Sequence, residues 1–194
     1  MNPKVVESHF RKLMEEGLGL DLSDPNLKDT PNRVARMFCQ EFFSCIDSEF
    51  DDYKLSPNNR NYSQIIMLDR VYFISTCAHH FLPFTGHAWV LYIPKAELLG
   101  ASKCARLINH FASRPQLQES LCCEVAEALQ NNVRPSGTMV VMRGIHSCMR
   151  CRGVKQYGGG GMTTSSVQGV FATDKFLEQK GYDLIKISLF DKEH

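Results

Sequence analysis

Apolar positions change period several times along the chain, and each change marks a new element. Between Met1 and Gly17, Phe10, Leu13 and Met14 fall on one side of an amphipathic helix. Thr30-Pro31 reads as the start of a second helix, because Thr can cap and Pro suits the first helical position. Val34, Met37, Phe38 and Phe42 then recur at helical spacing. Residues 1–50 are therefore expected to be helical, and the polar stretch 51–63, with Pro57-Asn58-Asn59, to be a loop. Next come Ile65 to Ser75 and His87 to Ile93, both rich in β-formers. They predict an antiparallel pair joined through Thr76-Cys77-Ala78-His79-His80, Pro83 and Gly86.

Ala101 to Ala112 predicts a helix. Ser113 is placed to cap another, from about Arg114 to Asn131, with Leu117, Leu121, Val125 and Leu129 one turn apart. After Pro135-Ser136-Gly137 the pattern predicts strands at Thr138–Ile145, Ser166–Phe171 and Leu184–Leu189, with 157–161 as a flexible loop. No repeat or interdomain linker interrupts this order. The expectation is one α+β domain over 1–194, with a helical part at 1–50 and helices grouped on an antiparallel sheet at 64–190.

The 194 residues suffice for one core, and 43% hydrophobic with 22% charged residues is ordinary for a globular protein. A net charge of +1 gives no reason to expect nucleic-acid or membrane binding, so any anion site must be a local basic cluster. Eight cysteines without a recognisable secretory leader, and with no span of roughly 20 apolar residues, predict a reduced, cytoplasmic protein.

Cys77 and His80, three apart at a turn, can converge on one ion, and thiolate with imidazole suits zinc. A third ligand is sought in His146-Ser147-Cys148-Met149-Arg150-Cys151-Arg152, read as a continuing strand in which His146 and Cys148 share a face. Cys77, His80 and Cys148 make a three-ligand set that leaves room for water, the arrangement of catalytic zinc. Cys148 and Cys151 also spell Cys-x-x-Cys, which with Cys77 and His80 describes a closed structural site. That site needs a turn at 149–150. Spacing leaves both readings open, and His79 and His146, each beside a ligand without being needed as one, favour catalysis.

Gly100-Ala101-Ser102-Lys103 opens a helix, whose N-terminus favours phosphate. Lys103 and Arg106 share a helix face, and Arg33 and Arg36 repeat that spacing earlier; a solvated charged face is the competing reading for both pairs. Glu119 lies in a first helical turn, where the macrodipole favours an acid. Its carboxylate is equally suited to accept the two adjacent donors of a guanine edge.

Together the segments Lys28-Asp-Thr-Pro-Asn-Arg33, Ser75-Thr-Cys-Ala-His-His80, Tyr92-Ile-Pro-Lys95, Gly100-Ala-Ser-Lys103, Arg114-Pro-Gln-Leu-Gln-Glu119, His146-Ser-Cys148, Arg152-Gly-Val154, and Thr164-Ser-Ser166 through Gly169-Val-Phe171 resemble the GTP cyclohydrolase I family. The resemblance spans about Asp24 to Phe171. It implies the tunnelling fold, two antiparallel helices on an antiparallel sheet, assembled as a homodecamer of two stacked pentamers with active sites between subunits. It implies zinc on Cys77, His80 and Cys148, and His79 and His146 as catalytic histidines. Glu119 becomes the guanine anchor with Gln118 beside it. Ser102, Lys103, Arg106 and Arg152 become holders of ribose and triphosphate, with Arg33 reaching in from a neighbouring subunit and Arg36 standing where the family often has Lys. The implied reaction is hydroxide attack at C8 of GTP, loss of formate, Amadori rearrangement and closure to 7,8-dihydroneopterin triphosphate. Ala78 departs from the family pattern, which has Glu between the zinc-binding Cys and the His pair.

Overall fold

The computed structural model describes residues 1–158 and 160–190, in two compact units, residues 1–49 and the described residues from 50 onward. In the first unit, helix α1 (Pro3–Lys12) starts on Asn2, whose side chain accepts the Val5 N–H. It runs on through a wider π turn at Leu13–Gly17. Helix α2 (Thr30–Arg36) does the same through Met37–Phe42. Pro31 sits in the first turn as expected, but Thr30 is already helical and Asp29 precedes it without a side-chain cap. The two helices are tied by Asn32 Nδ2 donating to Glu7 Oε2 at 3.0 Å.

The second unit is built on one sheet. Strands β2 (Ile66–Cys77), β3 (Pro83–Ile93), β6 (Gly137–His146) and β7 (Met162–Gly169) are successive antiparallel neighbours. A two-residue strand β5 (Pro115–Gln116) runs parallel to the end of β2, pairing Thr76 with Pro115 and Cys77 with Gln116. Strand β1 (Leu55–Pro57), inside the stretch 51–63 expected to be loop, pairs with β4 (Glu97–Leu99) as a separate ribbon.

Helices α3 (Ala101–Ala112) and α4 (Gln118–Val133) cover one face of the sheet. They pack Cys104, Leu107, Ile108, Leu121, Val125 and Leu129 on Phe73, Phe84, Ala88, Val90, Val140 and Met142. The other face carries Trp89, Leu91, Ile93, Met139 and Val141 under Phe171 and Ile185. The run Trp89-Val-Leu-Tyr-Ile93 is continuous rather than alternating because β3 is buried on both sides.

Four expectations need correction. Leu184–Leu189 is not a strand but the end of helix α7 (Lys175–Phe190). The alternation of Ile185, Ile187 and Leu189 imitates a strand, yet Ile187 is 60% exposed while Ile185 and Ser188, three apart, face inward. The Asp174 carboxylate starts this helix by accepting from Phe176 N and Leu177 N, and Ser188 Oγ accepts from Trp89 Nε1 at 3.1 Å. Second, Val170 and Phe171 leave the predicted strand for a helical turn, α6 (Val170–Thr173). Third, α4 begins at Gln118 rather than near Arg114, because Ser113 closes α3 by bonding Asn109 O and the next residues pair with β2. Fourth, β6 stops at His146, and Ser147–Arg150 is a helical turn, α5. Of the loop at 157–161, Gly159 lies outside the described residues.

The β3–β6 register places Gly86 opposite Gly144. A methyl group at Gly86 would fall on the Arg143 carbonyl. Gly86→Ala is therefore expected to destabilise the protein by about 3 kcal/mol, the upper part of the overpacking range. A urea unfolding midpoint equal to wild type would contradict this packing.

Candidate active site

The candidate centre is assembled at one end of the sheet. Cys77 ends β2 with its N–H donating to Leu82 O, and its own carbonyl takes Phe81 N at 2.8 Å, so the chain reverses tightly into β3. Phe81 occupies the left-handed region at φ 52°, and Ala78 N donates to Gln116 O at 3.0 Å, stapling the turn to β5. This turn holds Cys77 Sγ 3.9 Å from His80 Nδ1. Cys148 arrives from the other direction, on α5. The three ligand atoms of Cys77, His80 and Cys148 lie within 4.8 Å of one another.

Burial, and after it the neighbouring Cys77 sulfur, push the Cys148 thiol up. The Cys148 thiol therefore resists ionising until a cation joins it, and a cation reverses that preference. The donor set, two sulfurs and one imidazole nitrogen, fits a borderline-soft divalent ion with one position left over.

The strand expected to carry Cys148 gives way to a helical turn. Residues 148 and 151 are therefore not forced to opposite faces, and the geometric objection to a closed four-ligand site disappears. Even so, Cys151 is exposed, bonds Ser147 O at 2.9 Å and is not part of the converging group among the described residues. Cys104 and Cys122, whose thiols burial pushes up to about 12, are core packing groups.

His146, the last residue of β6, is half-buried and stacks on Phe84 at 4.5 Å with rings 4° from parallel. Its Nε2 lies 3.0 Å from Gln118 Oε1. Gln118 is almost fully buried and donates Nε2 to the carbonyls of Met142 and Met162 and to Thr164 Oγ1. Those carbonyls only accept, so the amide oxygen must face the histidine, and the neutral ring carries its proton on Nε2. Nδ1 then holds the free lone pair. Burial lowers the His146 pKa and the Glu119 carboxylate opposes it, so Glu119, exposed in the first turn of α4, lies within electrostatic reach.

Sequence reasoning set Gln118 beside Glu119 in a substrate pocket; its contacts make it the support of His146. It gave no role to Phe84, to Thr164 or to Gly144, where any side chain would strike Gln118 Oε1. The facing pair Gly86 and Gly144 was the available signal, but only pairing gives it meaning. A cavity of about 310 Å³ beside His146 is lined by Met149, Arg150, Gln156, Gly160, Gly161 and Met162.

The remaining candidates divide by location. His79 is exposed in the turn, its ring 6.2 Å from that of His80. Arg152, exposed just beyond α5, is close enough for its charge to favour the Cys148 thiolate. Ser102 is exposed in the first turn of α3, behind the Gly100 N-cap. Lys103 and Arg106 on α3 both contact Asp52, a residue the sequence reading passed over. Arg33 and Arg36 belong to the first unit and are exposed, with Arg33 4.0 Å from Asp29.

The ligand assignment has a direct test. Cys148→Ser is expected to weaken metal binding by at least roughly 100-fold, more than the loss of an outer partner costs. Cys151→Ser is expected to leave binding unchanged. Metal content after dialysis against a graded chelator checks both; equal losses in the two variants would mean that Cys151 is a ligand.

Comparison with known proteins gives the family. The chain matches the family model described as GTP cyclohydrolase I over residues 6–186. GTP cyclohydrolase 1 of Hydrogenobaculum sp. is 39% identical over 183 residues, covering 94% of this chain and 97% of that protein. The Streptococcus sanguinis enzyme of the same name is 35% identical over 185 residues, covering 95% and 99%. That of Aeromonas salmonicida is 38% identical over 169 residues, covering 87% and 77%. With a family match over residues 6–186 and relatives at least 35% identical over 87% or more of the chain, this chain belongs to the GTP cyclohydrolase I family.

Proposed function

We propose that this protein hydrolyses GTP to 7,8-dihydroneopterin triphosphate and formate, with zinc held by Cys77, His80 and Cys148. The observation that carries the reading is the convergence of those three side chains, from segments about 70 residues apart, beside a histidine locked in one tautomer. Zinc there supplies a Lewis acid that brings the ionisation of water toward neutral pH.

The chain's own residues supply positioning and proton transfer. The Glu119 carboxylate accepts the N1–H and 2-amino hydrogens of guanine. Ser102, Lys103, Arg106 and Arg152 hold the ribose and triphosphate, which fixes C8 relative to the histidines. His146, kept in place by Gln118 and Phe84, moves the proton to and from N7, and His79 assists ring opening or deformylation. The opened ribose then rearranges and closes on the exposed amine. Ala78 leaves this scheme without the carboxylate that the family pattern carries between the Cys and the His pair, while its N–H still anchors the turn.

Assembly into a homodecamer of two stacked pentamers belongs to the same proposal. Strand β7 pairs only with β6 among the described residues, and β2 is covered on its outer side only at Thr76 and Cys77. Such open edges suit sheet continuation into neighbouring subunits. Arg33 and Arg36 would then reach a neighbour's triphosphate.

Purified protein loaded with zinc and given GTP is expected to release formate and a pterin that fluoresces after oxidation. His146→Ala is expected to retain zinc but slow formate release by roughly 10²–10⁴-fold, the usual worth of a general acid–base. Wild-type protein that binds zinc and yields neither product would overturn the assignment; normal turnover in the variant would remove His146 from the proton path.

A further inference from the structure

Lys103 and Arg106, read above as triphosphate holders, are already engaged by a carboxylate of their own chain. Asp52 sets its two oxygens 2.5 and 2.6 Å from Lys103 Nζ, and one of them 2.9 Å from Arg106 NH1. The contact is framed by backbone. Two residues on, the Lys54 carbonyl accepts Gly100 N at 3.2 Å, and Leu55 pairs with Leu99. The segment carrying Asp52 is thus pinned beside the first turn of the 12-residue helix α3, where its dipole, an ammonium and a guanidinium all favour an anion. Lys103 is only 13% exposed in its side chain, so few other positions are open to its ammonium. Lys103 first, then Arg106, hold the Asp52 carboxyl below its ordinary range, so it is ionised at neutral pH.

Two cations facing one carboxylate leave a net charge of +1. A polyphosphate approaching them meets an anion in the position it would take. Either Asp52 gives up its bonds or the two anions stand side by side, and both outcomes weaken binding. The weakening has a use. In the proposed reaction the product keeps the triphosphate of the substrate, so the cations that capture one also retain the other. An internal anion that reclaims Lys103 and Arg106 offers a release route that differs from simple dissociation.

We propose that Asp52 is a displaceable counter-anion of the polyphosphate site, exchanging places with the substrate's phosphates and taking the cations back as product leaves. The proposal rests on the reading of Lys103 and Arg106 as polyphosphate ligands, and it names a positioning residue, since Asp52 acts through those two cations. A scaffolding role, in which Asp52 merely holds Lys103 ready, predicts the opposite sign.

The test is calorimetric titration of the zinc-loaded full chain with inorganic triphosphate, comparing wild type, Asp52→Asn and Lys103→Ala. Asp52→Asn is expected to tighten binding roughly three- to tenfold, what two partly exposed ion pairs are worth. Lys103→Ala is expected to weaken it. In turnover, Asp52→Asn should lower the KM for GTP and deepen inhibition by the pterin triphosphate product. Asp52→Ser, which also removes the charge, replaces the Asn variant if that protein does not fold. Unchanged or weaker triphosphate binding in the charge-removed variant overturns the proposal, and so does a wild type that binds no triphosphate. Triphosphate binding that follows these predictions in a protein releasing no formate from GTP would sink the enzymatic reading and leave the Asp52 exchange standing.

Discussion

The pairing of β3 with β6 is the constraint on which the site depends. Ten residues of each strand are in register, from Ile93 opposite Gly137 to Phe84 opposite His146. That last pair puts the imidazole flat against the Phe84 ring. It also delivers the chain to α5 at the height where Cys148 meets the β2–β3 turn. Because side chains alternate across a sheet, a slip of one residue would turn His146 to the opposite face and carry Cys148 away from Cys77 and His80. Two glycines, Gly86 and Gly144, make so close an approach possible.

Gln118 converts that register into chemistry. Its amide joins α4 to β6 and β7 and leaves one oxygen for His146, so the tautomer follows from carbonyls in a buried network. A half-satisfied amide at this depth would be costly, which keeps the histidine and the helix together. The same helix offers Glu119 at its exposed first turn, one residue from the buried amide. One helix start thus serves both the proton-handling group and the purine anchor in the proposed reaction.

Electrostatics distinguishes two clusters in the second unit. At Cys148, which converges with Cys77 and His80, burial and the neighbouring sulfur disfavour the thiolate until a cation is present. Around Lys103 and Arg106, charge is plentiful but compensated by Asp52. In the proposed reaction the first cluster takes a metal and the second a polyphosphate, which meets Asp52 already seated on its cations.

Much of this was legible in the amino-acid order. Local pattern sufficed for α3, whose apolar residues repeat at helical spacing, and for the two long strands and β6, which are rich in β-formers. The convergence of Cys77, His80 and Cys148 was recoverable by matching ordered motifs, since Cys77-x-x-His80 and His146-x-Cys148 are short, chemically unusual strings. What failed did so where tertiary contact outweighed local pattern. Leu184–Leu189 alternates like a strand but is held as helix by the Asp174 cap and by the indole of Trp89, 99 residues away from Ser188. The break of β6 at His146 and the short strand at Pro115–Gln116 also had no local signature. By itself, the sequence determined which residues can bind a metal, carry a proton or attract phosphate, because those capacities reside in single side chains. Only the tertiary structure decided that Gln118 supports His146, that Cys151 stays out of the metal group and that Asp52 occupies the basic pair. Each of those depends on distances between segments that are remote in the chain, and no run of residues encodes such distances locally.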